Sequence, residues 1–134
     1  MNTALTKEQH MAVDRFYWDG LTMRTLYRFT LEYAAAIQKN NAWTERTHVR
    51  MAEAEAFLAS VDPKDVRKHK DASTEVDNCT KLLARLAEET TMLESKYASA
   101  EAQRVMFHAR RAEHPDDGIV AVASRARYPT RCDC

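Results

Sequence analysis

Glycine and proline are scarce in this chain, which contains only 2 Gly and 3 Pro among 134 residues. The tight turns of β-rich domains depend on backbone conformations with positive φ, which glycine adopts most readily. Long helices need few such residues because their chain direction changes rarely. The composition therefore predicts an all-α protein, and its length predicts one domain with a hydrophobic core rather than two.

Charge in this chain is balanced, with 20 Lys+Arg and 20 Asp+Glu. A balanced chain has no overall field that would attract nucleic acid or an anionic membrane. No stretch approaches the roughly 18 uninterrupted apolar residues of a membrane span. Residues 1–6 lack the basic and apolar regions of a secretory signal. We therefore expect a folded protein that neither spans a membrane nor binds nucleic acid.

Capping signals and apolar spacing predict separate helices in the first part of the chain. Thr6 and Gln9 have the spacing of a capping box, which would open a short N-terminal helix. The pair Asp19-Gly20 is expected to break or kink that helix. Apolar residues at three- and four-residue steps then predict an amphipathic helix over 21–37. Asn40-Asn41 is expected to end this helix.

The second part of the chain is predicted to contain one long helix. A preceding helix is expected to begin near Thr44, with a buried face formed by Val49, Ala52, Ala56 and Phe57. Asp62-Pro63 then marks a new helix start, because an N-cap carboxylate precedes a proline. The long helix is expected to run to about Arg111 and to carry a coiled-coil-like seam. The seam residues are Val76, Cys79, Leu83, Leu86, Leu93, Tyr97 and Ala100. We expect Leu83, Leu86 and Leu93 to be buried against the helix over 21–37. A single helical domain would thus cover 1–112, with its core over about 21–100, and 113–134 would form an extended tail.

Residue patterns typical of catalysis or metal binding are missing from the sequence. The five histidines have no ligand spacing, and no metalloprotease, phosphate-loop or serine-hydrolase motif occurs. The three cysteines, Cys79, Cys132 and Cys134, are odd in number and are expected to be reduced rather than to form a disulfide framework. We therefore expect neither an enzyme nor a metal site.

The tripeptide Leu26-Tyr27-Arg28 lies on a predicted amphipathic helix near the N-terminus. Arg46 and Arg50, and then Phe57, follow on the next predicted helix, and a long third helix comes after them. This order resembles the LYR-motif family of small mitochondrial proteins over about residues 21–97. The match is incomplete, because Leu58-Ala59-Ser60 follows the phenylalanine where the family often has asparagine and a basic residue.

The resemblance implies a three-helix LYR-type bundle with an additional short N-terminal helix, a long third core helix and an extended C-terminal tail. It also implies binding of mitochondrial acyl carrier protein. Tyr27, Arg28, Arg46 and Arg50 would face the acidic surface of the carrier. Leu26 and Phe57 would shape an apolar tunnel for the acyl chain on the carrier's phosphopantetheine arm. The chain itself would hold no other cofactor.

Within this family, the long third helix and the arginine-bearing tail resemble the accessory subunits of mitochondrial respiratory complex I, the NADH:ubiquinone oxidoreductase. This resemblance implies a non-catalytic accessory subunit that anchors acyl carrier protein to the complex. Such a subunit would contact other subunits of the respiratory complex. It would lie on the matrix side of the mitochondrial inner membrane, peripheral to it.

Two other interpretations of these residues stay open. The chain could be a coiled-coil scaffold or an assembly factor of another large complex, without acyl carrier protein. In that case Tyr27 is a half-buried aromatic residue and Arg28 pairs with Glu32 one turn along the helix. Nucleic-acid binding through the basic residues near the start of the long helix is disfavoured because acidic residues dilute them. These basic residues are Lys64, Arg67, Lys68 and Lys70, and the acidic ones are Asp65 and Asp71.

Overall fold

The computed structural model describes residues 4–112 and 118–128 of the chain. These residues form three helices: α1 (Lys7–Ser60), α2 (Val66–Ala112) and α3 (Gly118–Arg127). No strand occurs among the described residues, so the all-α prediction is confirmed. The chain divides into two compact units. Unit 1 comprises Met1–Thr30 and Ala98–Cys134, and unit 2 comprises Leu31–Tyr97.

Helix α1 begins at the predicted capping box. The backbone N–H of Thr6 donates to Oε1 of Gln9 over 2.8 Å, and the N–H of Gln9 donates to Oγ1 of Thr6 over 3.1 Å. The helix then continues to Ser60, so a helix break at Asp19-Gly20 and a helix end at Asn40-Asn41 are both wrong predictions. The short N-terminal helix and the separate helix from Thr44 are parts of this one helix. The helix bounds implied by the LYR resemblance are therefore not the ones observed.

Tertiary contacts explain why α1 passes through these polar positions. Asp19 is buried within unit 1, and its Oδ1 lies 3.5 Å from Nη1 of Arg110. A Cβ atom on Gly20 would lie 3.2 Å from Nη2 of Arg111, so the glycine leaves room for that guanidinium. Within unit 2, the Asn40 side chain lies 3.4 Å from Oγ1 of Thr90. Asp19 and Asn40, two of the residues that suggested a helix interruption, thus contact another helix.

Helix α2 begins three residues later than predicted, at Val66 rather than Pro63. The Asp62 carboxylate accepts a hydrogen bond from the N–H of Lys64 over 3.0 Å, which stabilises a turn rather than a helix start. The Asp65 carboxylate instead accepts from the N–H of Lys68 over 3.3 Å and caps α2, which begins at Val66. Asp62-Pro63 therefore marks the chain reversal but not the first residue of the helix.

Unit 2 is an antiparallel pair formed by the last part of α1 and the first part of α2. The Asn40–Thr90 contact and the Arg50–Glu75 ion pair set the register of the two helices. The predicted seam of α2 is its buried face, since Cys79 and Leu86 are each only 1% exposed. Burial also raises the pKa of the Cys79 thiol above its ordinary value, because the thiolate would be poorly solvated.

The partner of the leucine seam differs from the predicted one. Thr80 contacts Met51, and Thr90 contacts Asn40. Leu83 and Leu86 lie between these two contacts and are therefore opposite the α1 segment 40–51. For Leu83 and Leu86 the prediction of packing against 21–37 is wrong, because it depended on a chain break at residues 40–41. Leu93 lies beyond Thr90 and is therefore opposite residues that precede Asn40, at the end of 21–37.

The prediction of an extended tail over 113–134 is wrong for residues 118–127, which form helix α3. Val120 and Ser124 of α3 are buried within unit 1. The Tyr128 ring stacks on Tyr17 at a centroid distance of 3.7 Å. Nη1 of Arg127 lies 2.7 Å from Oδ1 of Asp14 and pairs with it. Residues 113–117 and 129–134 of the predicted tail, with Cys132 and Cys134, lie outside the described residues.

Candidate functional site

The Leu26-Tyr27-Arg28 tripeptide lies in unit 1, on the middle of α1. Leu26 is buried at 8% exposure, whereas Tyr27 and Arg28 are exposed. The guanidinium of Arg104 lies 5.4 Å from the centre of the Tyr27 ring, close enough for a cation–π contact. Tyr27 and Arg28 are therefore on the surface, with Leu26 anchoring the same turn in the core of unit 1.

The other predicted site residues lie in unit 2. Arg46 is exposed, and Arg50 pairs with Glu75 across the two helices at 2.5 Å. This hydrogen-bonded pair raises the pKa of Arg50 above its ordinary value. Phe57 is 46% exposed, so it is a surface residue of unit 2 rather than part of its buried seam. The resemblance expects these residues on a different helix from the tripeptide, but α1 carries all of them.

Phe57 and the Arg50–Glu75 pair line an open groove on unit 2, near the turn between α1 and α2. The groove has a volume of about 540 Å³. Ala54 and Ala72 contribute small apolar side chains to it, next to the Phe57 ring. Lys68, Asp71 and Glu53 complete its charged rim. The groove thus combines an accessible aromatic ring with charges of both signs.

Trp43 extends this surface along α1. It is 44% exposed, and it lies seven residues before Arg50, which lies seven residues before Phe57. Residues seven apart lie two turns apart on the same side of a helix. We define the Trp43 face as the surface that contains Trp43, Arg50 and Phe57. It also includes the exposed residues of α1 three or four positions from them and the side of α2 that carries Glu75, the partner of Arg50. Its residues are Lys39, Trp43, Arg46, Arg50, Glu53 and Phe57 on α1, and Lys68, Asp71, Glu75, Leu82, Arg85 and Glu89 on α2.

Charges on the Trp43 face are unevenly distributed. The half nearest the turn has two cations and three acids, which are Arg50, Lys68, Glu53, Asp71 and Glu75, so its net charge is −1. The half further from the turn has three cations and one acid, which are Lys39, Arg46, Arg85 and Glu89, so its net charge is +2. One half of the face is therefore complementary in charge to the other half.

Sequence reasoning identified Arg46, Arg50 and Phe57 but missed Trp43 and all the contributing residues of α2. The seven-residue spacing of Trp43, Arg50 and Phe57 was a usable signal. It was hidden by the expected helix break at 40–41, which placed Trp43 in a connection. Once α1 is continuous, all three residues lie on one side of it.

Within the described ranges, no group of three or more His, Cys, Asp or Glu side chains could hold a metal ion. None of the helices in those ranges is long and apolar enough to cross a membrane. No protein-family profile matches the chain, and neither the curated proteins nor the solved structures contain a significant match.

Proposed function

We propose that the chain is a non-catalytic helical scaffold protein that self-associates through the Trp43 face of unit 2. The observation that carries this proposal is the pair of accessible aromatic rings, Trp43 and Phe57, on a face with opposite net charge at its two ends. Aromatic residues are enriched at the centres of protein interfaces, where their burial supplies much of the binding free energy.

The available apolar area supports an association of moderate strength. Each ring leaves about 100 Å² accessible, given the usual 150–250 Å² of a large aromatic side chain and the exposures of 44% and 46%. Burying four such rings in a symmetric dimer would contribute about 10 kcal/mol at roughly 25 cal/mol per Å². Association costs about 4–15 kcal/mol. Because these terms are of similar size, we expect a dimer that dissociates on dilution.

Charge complementarity favours a second copy of this chain as the occupant of the face. In a two-fold symmetric interface the same patch meets itself, and a two-fold axis perpendicular to the helices exchanges its two ends. The acidic half near Glu53 and Asp71 would then oppose the basic half near Arg46 and Arg85. Opposite charges steer the two copies into one register and disfavour the parallel alignment.

Sedimentation velocity of the whole chain over a wide range of concentration tests this proposal. We expect a concentration-dependent dimer that weakens as salt is raised, because exposed ion pairs are screened. Trp43→Glu should shift the protein to monomer at every concentration. Val49→Glu is the matched control, because Val49 is also exposed, at 58%, but lies outside the Trp43 face. A wild-type protein that stays monomeric, or equal dimerisation of both variants, would contradict self-association through this face.

Acyl carrier binding stays a second proposal, with the exposed side chains of Tyr27 and Arg28 as the observation that favours it. It includes the role of a complex I accessory subunit at the mitochondrial inner membrane. The continuity of α1 counts against it, because the family's acyl tunnel lies between separate helices. Intact mass spectrometry of material purified from cells tests it, with Arg28→Glu as the variant. Recovery of other partners without any phosphopantetheinylated protein would contradict it.

A further inference from the structure

A second concave site lies within unit 1, between the start of α1 and the end of α2. This cleft has a volume of about 320 Å³. One wall is apolar and is formed by Met11, Ala12 and Phe16. The rest of the cleft lining includes three arginines, Arg15, Arg110 and Arg111. An apolar wall beside convergent polar groups is the usual construction of a small-molecule site.

The charges of the cleft are only partly neutralised by its own acids. Arg110 pairs with the buried Asp19 at 3.5 Å. Glu8 is the other acid of the lining. Among the described residues, neither Arg15 nor Arg111 forms an ion pair within 4 Å. Three arginines and two acids line the cleft, so its lining carries a net charge of +1, and Arg15 and Arg111 are the guanidiniums without an ion-pair partner in the described part of the chain.

Arg111 packs against an aromatic ring, and its own hydrogen bonding is incomplete among the described residues. Its guanidinium lies 4.2 Å from the centre of the Phe16 ring. Gly20 leaves room for its Nη2 atom. Its Nε atom is buried and has no hydrogen-bond partner among the described residues. Buried donors are normally paired, so the hydrogen bonding of Arg111 is incomplete within the described ranges.

We propose that this cleft binds a phosphate monoester that carries a small apolar group. The phosphate lies against the guanidiniums of Arg15 and Arg111, which have no ion-pair partner among the described residues and whose several N–H donors suit phosphate oxygens. The apolar group lies against Met11, Ala12 and Phe16. The site does not depend on self-association, because all its residues belong to unit 1 and the Trp43 face belongs to unit 2.

Isothermal titration calorimetry of the full chain with phenyl phosphate tests the proposal. We expect one site per chain and at least tenfold weaker binding of inorganic phosphate, which lacks the apolar group. Phenol, which lacks the anion, should give no binding. Affinity for phenyl phosphate should also fall at pH 5, where the phosphate is mainly a monoanion, since its second pKa is near 6. Equal affinity for phenyl phosphate and inorganic phosphate would overturn the proposal as an adventitious ion only.

Two variants locate the binding in this cleft. Arg111→Gln should weaken binding of phenyl phosphate at least tenfold, because it removes one of the two guanidiniums that would bind the phosphate. Met11→Glu should do the same by repulsion, and it is expected to leave the fold intact because Met11 is 56% exposed. Arg67→Gln, an exposed arginine of unit 2, is the control and should bind like wild type. If Met11→Glu, folded by circular dichroism, binds phenyl phosphate as tightly as wild type, the cleft is not the site.

Discussion

Leu86→Ala tests whether the α2 seam is the core of unit 2. Leu86 is only 1% exposed, so the substitution removes buried methyl groups and leaves a cavity. Such changes cost about 2–5 kcal/mol in packed cores. Because the buried core of a helix pair is narrow, the neighbouring side chains can partly fill the cavity, and we expect about 2–3 kcal/mol. At about 2.1 cal/mol/K per residue for the entropy of unfolding, this loss lowers the melting temperature of the 134-residue chain by about 7–11 °C.

Thermal and urea melts followed by circular dichroism at the helical band measure this loss. Leu31→Ala is the matched control, because the same chemical change is made at a leucine of unit 2 that is 55% exposed. Its effect should stay within about 0.5 kcal/mol. If the two variants lose the same free energy of unfolding, or if Leu86→Ala loses less than the control, the α2 seam is not the core and the described packing of unit 2 is refuted.

Two further predictions concern unit 1. Arg127 and Tyr128 hydrogen-bond to the Asp14 carboxylate and lower its pKa in the folded protein. Their contribution to stability is therefore fully present above the pKa of Asp14 in the unfolded chain, which is near 4. It is lost as the pH falls through the lower pKa of Asp14 in the folded protein. An NMR titration should show Asp14 titrating below an ordinary aspartate in wild type and closer to normal in Arg127→Gln; equal values would contradict the contact. Gly20→Ala should raise the free energy of unfolding by up to about 1 kcal/mol, because alanine favours helix and the flexible end of Arg111 can move from the new Cβ. A destabilised variant in a urea melt would show that Arg111 cannot move.

The periodicity of α2 was sufficient to predict its buried face because apolar residues occupy most seam positions. Cys79 and Leu86 are the most buried of them, and Leu83 and Leu93 are half-buried. The equivalent seam on α1 was predicted wrongly, because polar residues occupy it and the predicted residues, Val49, Ala52, Ala56 and Phe57, are all exposed. Thr47 is only 3% exposed there, and its hydroxyl donates to the carbonyl of Trp43 within the helix. A buried threonine that satisfies its hydroxyl locally carries no hydrophobic signal.

The candidate surface was predictable only in part, because it is formed by two helices whose register is not visible in the sequence. Arg50 and Phe57 were identified from a resemblance, but the partner of Arg50 is Glu75, which is 25 positions away in sequence. Such a pair requires the register of two helices, which the Asn40–Thr90 and Met51–Thr80 contacts set. Local spacing cannot supply that register.

The sequence by itself determined the helical class of this protein, the capping box at Thr6 and Gln9, and the buried seam of α2. These features depend on backbone propensity and on the period of one helix, which are local properties. Only the tertiary structure decided that α1 continues through Asp19-Gly20 and Asn40-Asn41. The physical reason is that Arg110, Arg111 and Thr90 contact these polar positions from α2, and such contacts outweigh a local preference to end the helix.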